Sequence, residues 1–309
     1  MRTTSSFIVM TFVSACALGE QDTAEPANKI AFNTISFADV TANHAAITEL
    51  ASKKFSLANS AGASIVSTPG GRQVLEYLVG CAFRSNQTFS ISSGGQTYSF
   101  TGEVGLAKSW KANKLSAKDK RWVSACMLAR INNQGQLMKI SMRGPHHALH
   151  VTHAETARFT QEEGVFYGDI FTGAAPIVGW SCRGAAQAAG EGGEGSALDY
   201  RDCAESGGFR DPDGQGGDTG LNQCGWGYAE DCFVHAFDLP FACERKVTTG
   251  GGVPDYEADG DASDQPAHGS NAPNSYYKKC HAGGVIPLLE AKWDEVITVF
   301  VENGPPSLD

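Results

Sequence analysis

The chain has 309 residues, with 24 Lys and Arg against 34 Asp and Glu, a formal net charge of −10 and 41% hydrophobic residues. This length allows one large domain or two ordinary ones, and neither needs staples for want of size. An acidic chain without a dense basic run argues against nucleic acid as a partner, and no segment supplies the ~20 consecutive apolar residues of a membrane span.

Arg2 precedes an apolar run from Phe7 to Val13, which closes on Val13-Ser14-Ala15-Cys16. A positive residue, a short apolar stretch and small residues before a cysteine form a lipoprotein-type signal over residues 1–15, with Cys16 as the lipidated mature N-terminus. An ordinary secretory signal, removed together with Cys16, is the alternative. Residues 16–30 are poor in large apolar side chains and contain Pro26, so they read as a flexible tether ahead of a single domain over 31–309. The membrane is therefore an expected partner, held by several acyl chains at about 0.8 kcal/mol per buried CH₂. The expected location is extracytoplasmic: an envelope lipoprotein, on the outer rather than the inner membrane because Ala17 and not Asp follows Cys16, or a secreted protein.

After Pro69, GGRQVLEYLVGCAF places Val74, Leu75, Leu78 and Val79 at helical spacing, with the glycines as an entering loop. TFSISSGGQTYSFTGEVGL predicts two strands joined at Gly94-Gly95. Ser116 caps a second helix running to Asn132. LMKISMRG alternates as a strand, with Leu137, Lys139, Ser141 and Arg143 on one side and Met138, Ile140 and Met142 on the other. Residues 29–150 hold 14 Lys and Arg against five Asp and Glu, a balance of +9; residues 151–309 hold nine against 26, a balance of −17. Such a split predicts that the two parts attract each other or face different partners. From about residue 179 to 284 the chain holds 21 of its 36 glycines and few apolar runs. KWDEVITVFVEN then predicts a terminal strand buried on both faces, returning to the sheet of the first half. The expected fold is α+β: mixed helices and antiparallel sheet with a large Gly/Cys-rich, disulfide-stapled irregular insertion.

Eight cysteines follow the signal: Cys81, Cys126, Cys182, Cys203, Cys224, Cys232, Cys243 and Cys280. An even number in an oxidising compartment predicts four disulfides, among roughly a hundred possible connectivities. Only Cys81 with Cys126 suggests itself, since both lie in helical segments and the first half offers no other cysteine. Cys126 as a nucleophile is disfavoured by its mid-helix position, where no helix N-terminus lowers its pKa.

Asp255, Glu257, Asp259, Asp261 and Ser263, with Gly260 between them, place oxygens at the spacing of a calcium loop. Pro266 stands where the pattern wants a bidentate Glu, so a solvated acidic loop is the competing reading; Asp211, Asp213 and Asp218 form a second acidic cluster. His146, His150 and His153 are spaced for one helical face, but Thr152-x-x-Glu155 is a capping box that starts a new helix and breaks it. Ser181 sits in a near-match to a nucleophile elbow that Arg183 spoils. Glu163 and Asp169 fall on one side of an aromatic strand and are the candidate catalytic carboxylates for a sugar. Trp226 and Tyr228 are candidates for stacking on a carbohydrate, or else core under a loop.

The blocks LEYLVGCAF, FTGEVGLAKSW, RWVSACMLARIN, ISMRG, EEGVFYGDIF and EVITVFV resemble a family of uncharacterised exported proteins and lipoproteins common in myxobacteria, over about Val74 to Val301. The resemblance implies a cysteine-rich extracellular protein with structural cysteines and supplies no substrate. The leading expectation is a non-catalytic surface protein that binds an unknown ligand or protein partner, carbohydrate included, with calcium as a stabilising ion. The alternatives are an extracellular hydrolase acting on carbohydrate through Glu163 and Asp169, and a structural envelope protein.

Overall fold

The computed structural model describes residues 29–31, 35–132, 138–172, 178–184, 203, 224–232, 243–247, 256–257, 275–282 and 291–302. In chain order these form strand β1 (Lys29–Ala31), helices α1 (Phe37–Ala42), α2 (His44–Ala51), α3 (Ser60–Val66) and α4 (Pro69–Ala82), strands β2 (Thr88–Ser93) and β3 (Gln96–Thr101), helix α5 (Ala117–Arg130), strand β4 (Lys139–Arg143), helix α6 (His153–Arg158), and strands β5 (Phe159–Asp169), β6 (Val178–Arg183), β7 (Gly227–Asp231), β8 (Cys243–Val247), β9 (Tyr256–Glu257), β10 (Ser275–Ala282), β11 (Ala291–Trp293) and β12 (Ile297–Glu302). The fold is α+β.

Local chemistry accounts for the helices. Thr68 caps α4 by accepting from Gly71 N–H at 3.0 Å, and Pro69 opens its first turn. Gly70 and Gly71 lie inside that turn rather than in an entering loop; a Cβ at Gly71 would strike the Ile65 carbonyl of α3, so the bare backbone lets the two helices approach. Ser116 and Asp119 form a reciprocal capping box at the start of α5. Between β2 and β3, Gly94 (φ 59°) and Gly95 (φ 79°) take the left-handed conformations of a two-residue hairpin turn.

The main sheet has the order β1-β4-β12-β5-β6-β7, antiparallel except for the parallel pair β6–β7. The terminal strand β12 thus returns, as expected, and fills the middle of the sheet between β4 and β5. β1 takes up Lys29 and Ile30, assigned to the tether by composition, because the open edge of β4 offers unpaired backbone groups. One face of the sheet presents Ile140, Met142, Phe166, Ile297, Val299 and Val301 to the helices. On the other face, Val165, Tyr167, Cys182 and Val296 pack with Cys232, Cys243, Tyr277, Cys280 and Trp293. Cys243, Tyr277, Cys280 and Trp293 belong to a second sheet, β11-β10-β8-β9, while Cys232 follows β7, so the described parts of the Gly/Cys-rich stretch include short paired strands.

Four disulfides staple the chain: Cys81–Cys126, Cys182–Cys232, Cys203–Cys224 and Cys243–Cys280. The first joins α4 to α5 with Cα atoms 5.9 Å apart. Cys243 and Cys280 stand directly opposite each other on β8 and β10. Cys182 Sγ lies 3.4 Å from Cys243 Sγ, but every sulfur of this cluster belongs to a disulfide, so the arrangement is not a free thiolate set for a metal.

Candidate functional site

Two sets of charged residues stand out, one sealed in the protein and one open to solvent. The sealed set lies on the second face of the main sheet. Ser141 and Arg143 project there from β4, as the alternation predicts, yet they are 0% and 1% exposed. Arg143 Nε donates to Ser141 Oγ (3.1 Å) and Nη2 to the Phe159 carbonyl (2.7 Å), while the guanidinium lies 3.6 Å from the Phe300 ring centroid. Ser141 Oγ in turn donates to the Glu155 carboxylate at 2.7 Å. Thr152 caps α6 by accepting from Glu155 N–H (3.2 Å), so the helix start delivers that carboxylate to the buried face. The Tyr277 hydroxyl donates to Glu162 at 3.4 Å. Burial pushes the Arg143 guanidinium down to about 10, against the opposing pull of Glu155 and Glu162.

The predicted catalytic pair does not assemble. Glu163 is fully buried, and Asp169 lies six residues along the same strand. At the rise of an extended strand their Cα atoms stand about 20 Å apart, whereas carboxylates that flank a glycosidic bond sit roughly 5–10 Å apart. Period-two alternation placed both on one side but carried no information on distance across a sugar. Asp169 instead accepts from Phe171 N–H at 2.9 Å and stabilises the turn after β5. Ser181 is buried within β6 and donates to the Cys203 carbonyl at 3.1 Å, so it is no exposed nucleophile. Trp226, 2% exposed, packs edge-on against Phe37 (5.5 Å) and Phe166 (6.2 Å) and is core rather than a stacking platform. Tyr228 is half-buried on β7. No known protein family, curated protein or solved structure matches the chain.

Of the calcium pattern, Glu257 lies in β9, with its backbone paired to Lys246, and not in a tight loop. Asp255, Asp259, Asp261 and Ser263 lie outside the described residues, as do Cys16, the signal, and Asp211, Asp213 and Asp218.

The open set was not singled out by any motif. Lys53 and Lys54 follow α2; Lys108 and Lys111 belong to a 3-10 turn, Lys114 follows it, and Lys118 lies in the first turn of α5. All six are exposed. The fully buried Trp110 brings the segments together: its indole N–H donates to the Lys53 carbonyl (3.0 Å), its own carbonyl accepts from Phe55 N–H (2.9 Å), and Leu115 N–H reaches the Ala51 carbonyl (3.1 Å). Phe55 and Phe83 pack against its ring, and Phe89 packs against both of them.

The predicted histidine face is split as the capping residue required. His146 caps a 3-10 turn (His147–Leu149), and α6 begins separately at His153. His147 and His150 are exposed. His146 packs against Trp122 at 5.1 Å, and its Nδ1 accepts from Ala148 N–H at 3.1 Å. Burial, then the positive fields of His147, Lys118 and Lys108, push this imidazole down to about 4, although Asp119 opposes them. The two lysines felt by His146 make the histidine turn continuous with the lysine face. Among the described residues three acids border it: Glu49 pairs with Lys53 at 3.3 Å, Asp119 accepts from the Ser116 N–H in the α5 cap, and Glu295 pairs with Arg121 of α5 at 3.6 Å. The sequence signal was the concentration of five lysines against one acid between residues 108 and 120, masked by the acidity of the whole chain.

Proposed function

We propose that this chain is an exported, lipid-anchored binding protein without catalytic activity, which meets its partner through the lysine- and histidine-rich face. One observation carries the reading: Arg143, Glu155, Glu162 and Glu163 are at most 1% exposed, while the six lysines are open to solvent. A general acid or base must come within about 3 Å of the proton it moves; carboxylates sealed between two sheets do not meet a substrate, and the cationic surface does. Four disulfides and the +9 balance of residues 29–150 suit an extracytoplasmic protein with one face toward an anionic partner. Calcium at Asp255, Asp259 and Asp261 would stabilise the acidic segment.

Incubating the purified protein with a panel of glycans tests the non-catalytic reading: retention without shortening is expected, and turnover that Glu163→Gln abolishes would overturn it. The intact mass of the chain extracted from envelopes tests the anchor, with an acylated Cys16 expected. Thermal unfolding with and without millimolar calcium tests the ion, because a ligand of the native state raises the midpoint by mass action. The rise should vanish in Asp255→Asn/Asp259→Asn.

A further inference from the structure

We propose that the lysine- and histidine-rich face docks on the anionic bilayer in which the Cys16 acyl chains are inserted, an inference that rests on the lipid-anchored reading. The first argument is where the tether meets the domain. β1 runs antiparallel to β4, with Lys29 opposite Ser141 and Ala31 opposite Lys139. The chain before Lys29 therefore arrives at the Arg143 end of β4, and only Gly144 and Pro145 separate Arg143 from His146. His146, at the start of the histidine turn, packs against Trp122 of α5 at 5.1 Å, one helical turn from Lys118. Attachment point and cationic surface thus share one end of the domain.

The second argument is reach. Residues 17–28 extend at most about 40 Å, which keeps the domain within roughly its own diameter of the bilayer. The third is charge. Six exposed lysines lie on this face, and each ammonium near a negatively charged headgroup surface is attracted to it, which turns this face toward the lipid. The chemistry of the face favours headgroups over a nucleic acid: it presents ammonium groups without arginine forks, and Trp110, the large aromatic beneath it, is 0% exposed and cannot stack on bases. It also inserts no apolar side chain, so attraction to the surface is electrostatic and sensitive to salt.

Every described element lies between Lys29 and Glu302, so the non-acylated chain 17–309 retains them all and isolates the contribution of the protein surface. Its co-sedimentation is measured with vesicles of phosphatidylcholine alone and with added phosphatidylglycerol, at low and high salt. Each lysine near such a surface multiplies partition about fivefold. The expected result is binding to the anionic vesicles alone, lost at high salt and reduced at least tenfold in Lys108→Gln/Lys111→Gln/Lys114→Gln/Lys118→Gln, a surface variant whose unfolding midpoint is checked alongside. Equal binding to both vesicles, no binding at low salt, or full binding by the quadruple variant would overturn the proposal. So would retention on an acidic polysaccharide without retention on anionic vesicles. A missing acyl group on Cys16 sinks the anchor by mass spectrometry, independently of the vesicle result.

Discussion

Replacing Arg143 by Met tests whether the buried network is a structural support. The guanidinium makes hydrogen bonds to the Phe159 carbonyl at 2.7 Å and Ser141 Oγ at 3.1 Å, each worth about 1.5–3 kcal/mol for a charged donor. Its contact with the Phe300 ring at 3.6 Å adds about 2 kcal/mol when desolvated. Against these stands burial, which outweighs the pull of Glu155 and Glu162 and lowers the guanidinium from 12.5 to about 10, a net cost of roughly 3 kcal/mol. Methionine removes that cost but leaves Glu155 and Glu162 buried without the cation that faced them. The net loss, as for other broken buried pairs, is about 4 kcal/mol, or about 10 °C in the midpoint of a domain this size. Urea unfolding of the non-reduced protein at pH 7 measures it. Adding Glu155→Gln should give a double variant about 2 kcal/mol more stable than the two single losses predict, because the second change removes the stranded charge. A single variant within 1 kcal/mol of the parent, or strictly additive losses, would refute this account of the network.

The His146 imidazole titrates near 4 in the folded protein and near 6.5 when unfolded. Its contribution to stability is therefore complete above pH 6.5 and is lost as the pH falls toward 4, since the unfolded chain takes the proton first. For a half-buried ring the loss is about 1–2 kcal/mol after solvent screening, and His146→Asn should flatten the stability profile over that window; parallel profiles would exclude the residue. Removing the Cys81–Cys126 bridge in Cys81→Ala/Cys126→Ala releases a 45-residue separation and should cost about 4 kcal/mol by chain entropy, read as a lower urea midpoint without a reductant. Trp226→Ala should cost about 3–5 kcal/mol as a core truncation and leave glycan retention per folded molecule unchanged; loss of retention at full stability would return Trp226 to a binding role.

The elements legible in the chain were those governed by neighbours a few residues apart. The caps at Ser116 and Thr152 act across three residues, and the Gly94-Gly95 turn needs only its own two backbone conformations, so local pattern sufficed. The alternation of β4 was equally readable, with Ile140 and Met142 facing the helices. What covers Ser141 and Arg143 was not, because that depends on Glu155 from α6 and Phe300 from β12, a strand more than 150 residues later.

Glu163 and Asp169 show the same limit from the other side. Their shared parity along β5 is a local property, whereas the packing that buries Glu163 comes from chain far away. The lysine face needed Trp110 to clamp residues 51–55 against 110–115, and no spacing within either segment announces the other. By itself, the sequence determined the α+β class, helices α4 and α5, the start of α6, the hairpin, the doubly buried terminal strand and the division of charge, since each follows from composition or from contacts within a turn or two. The tertiary structure alone decided the pairing of six cysteines, the sealing of the carboxylates and the assembly of the cationic face, because these rest on contacts between distant segments whose energies no local pattern encodes.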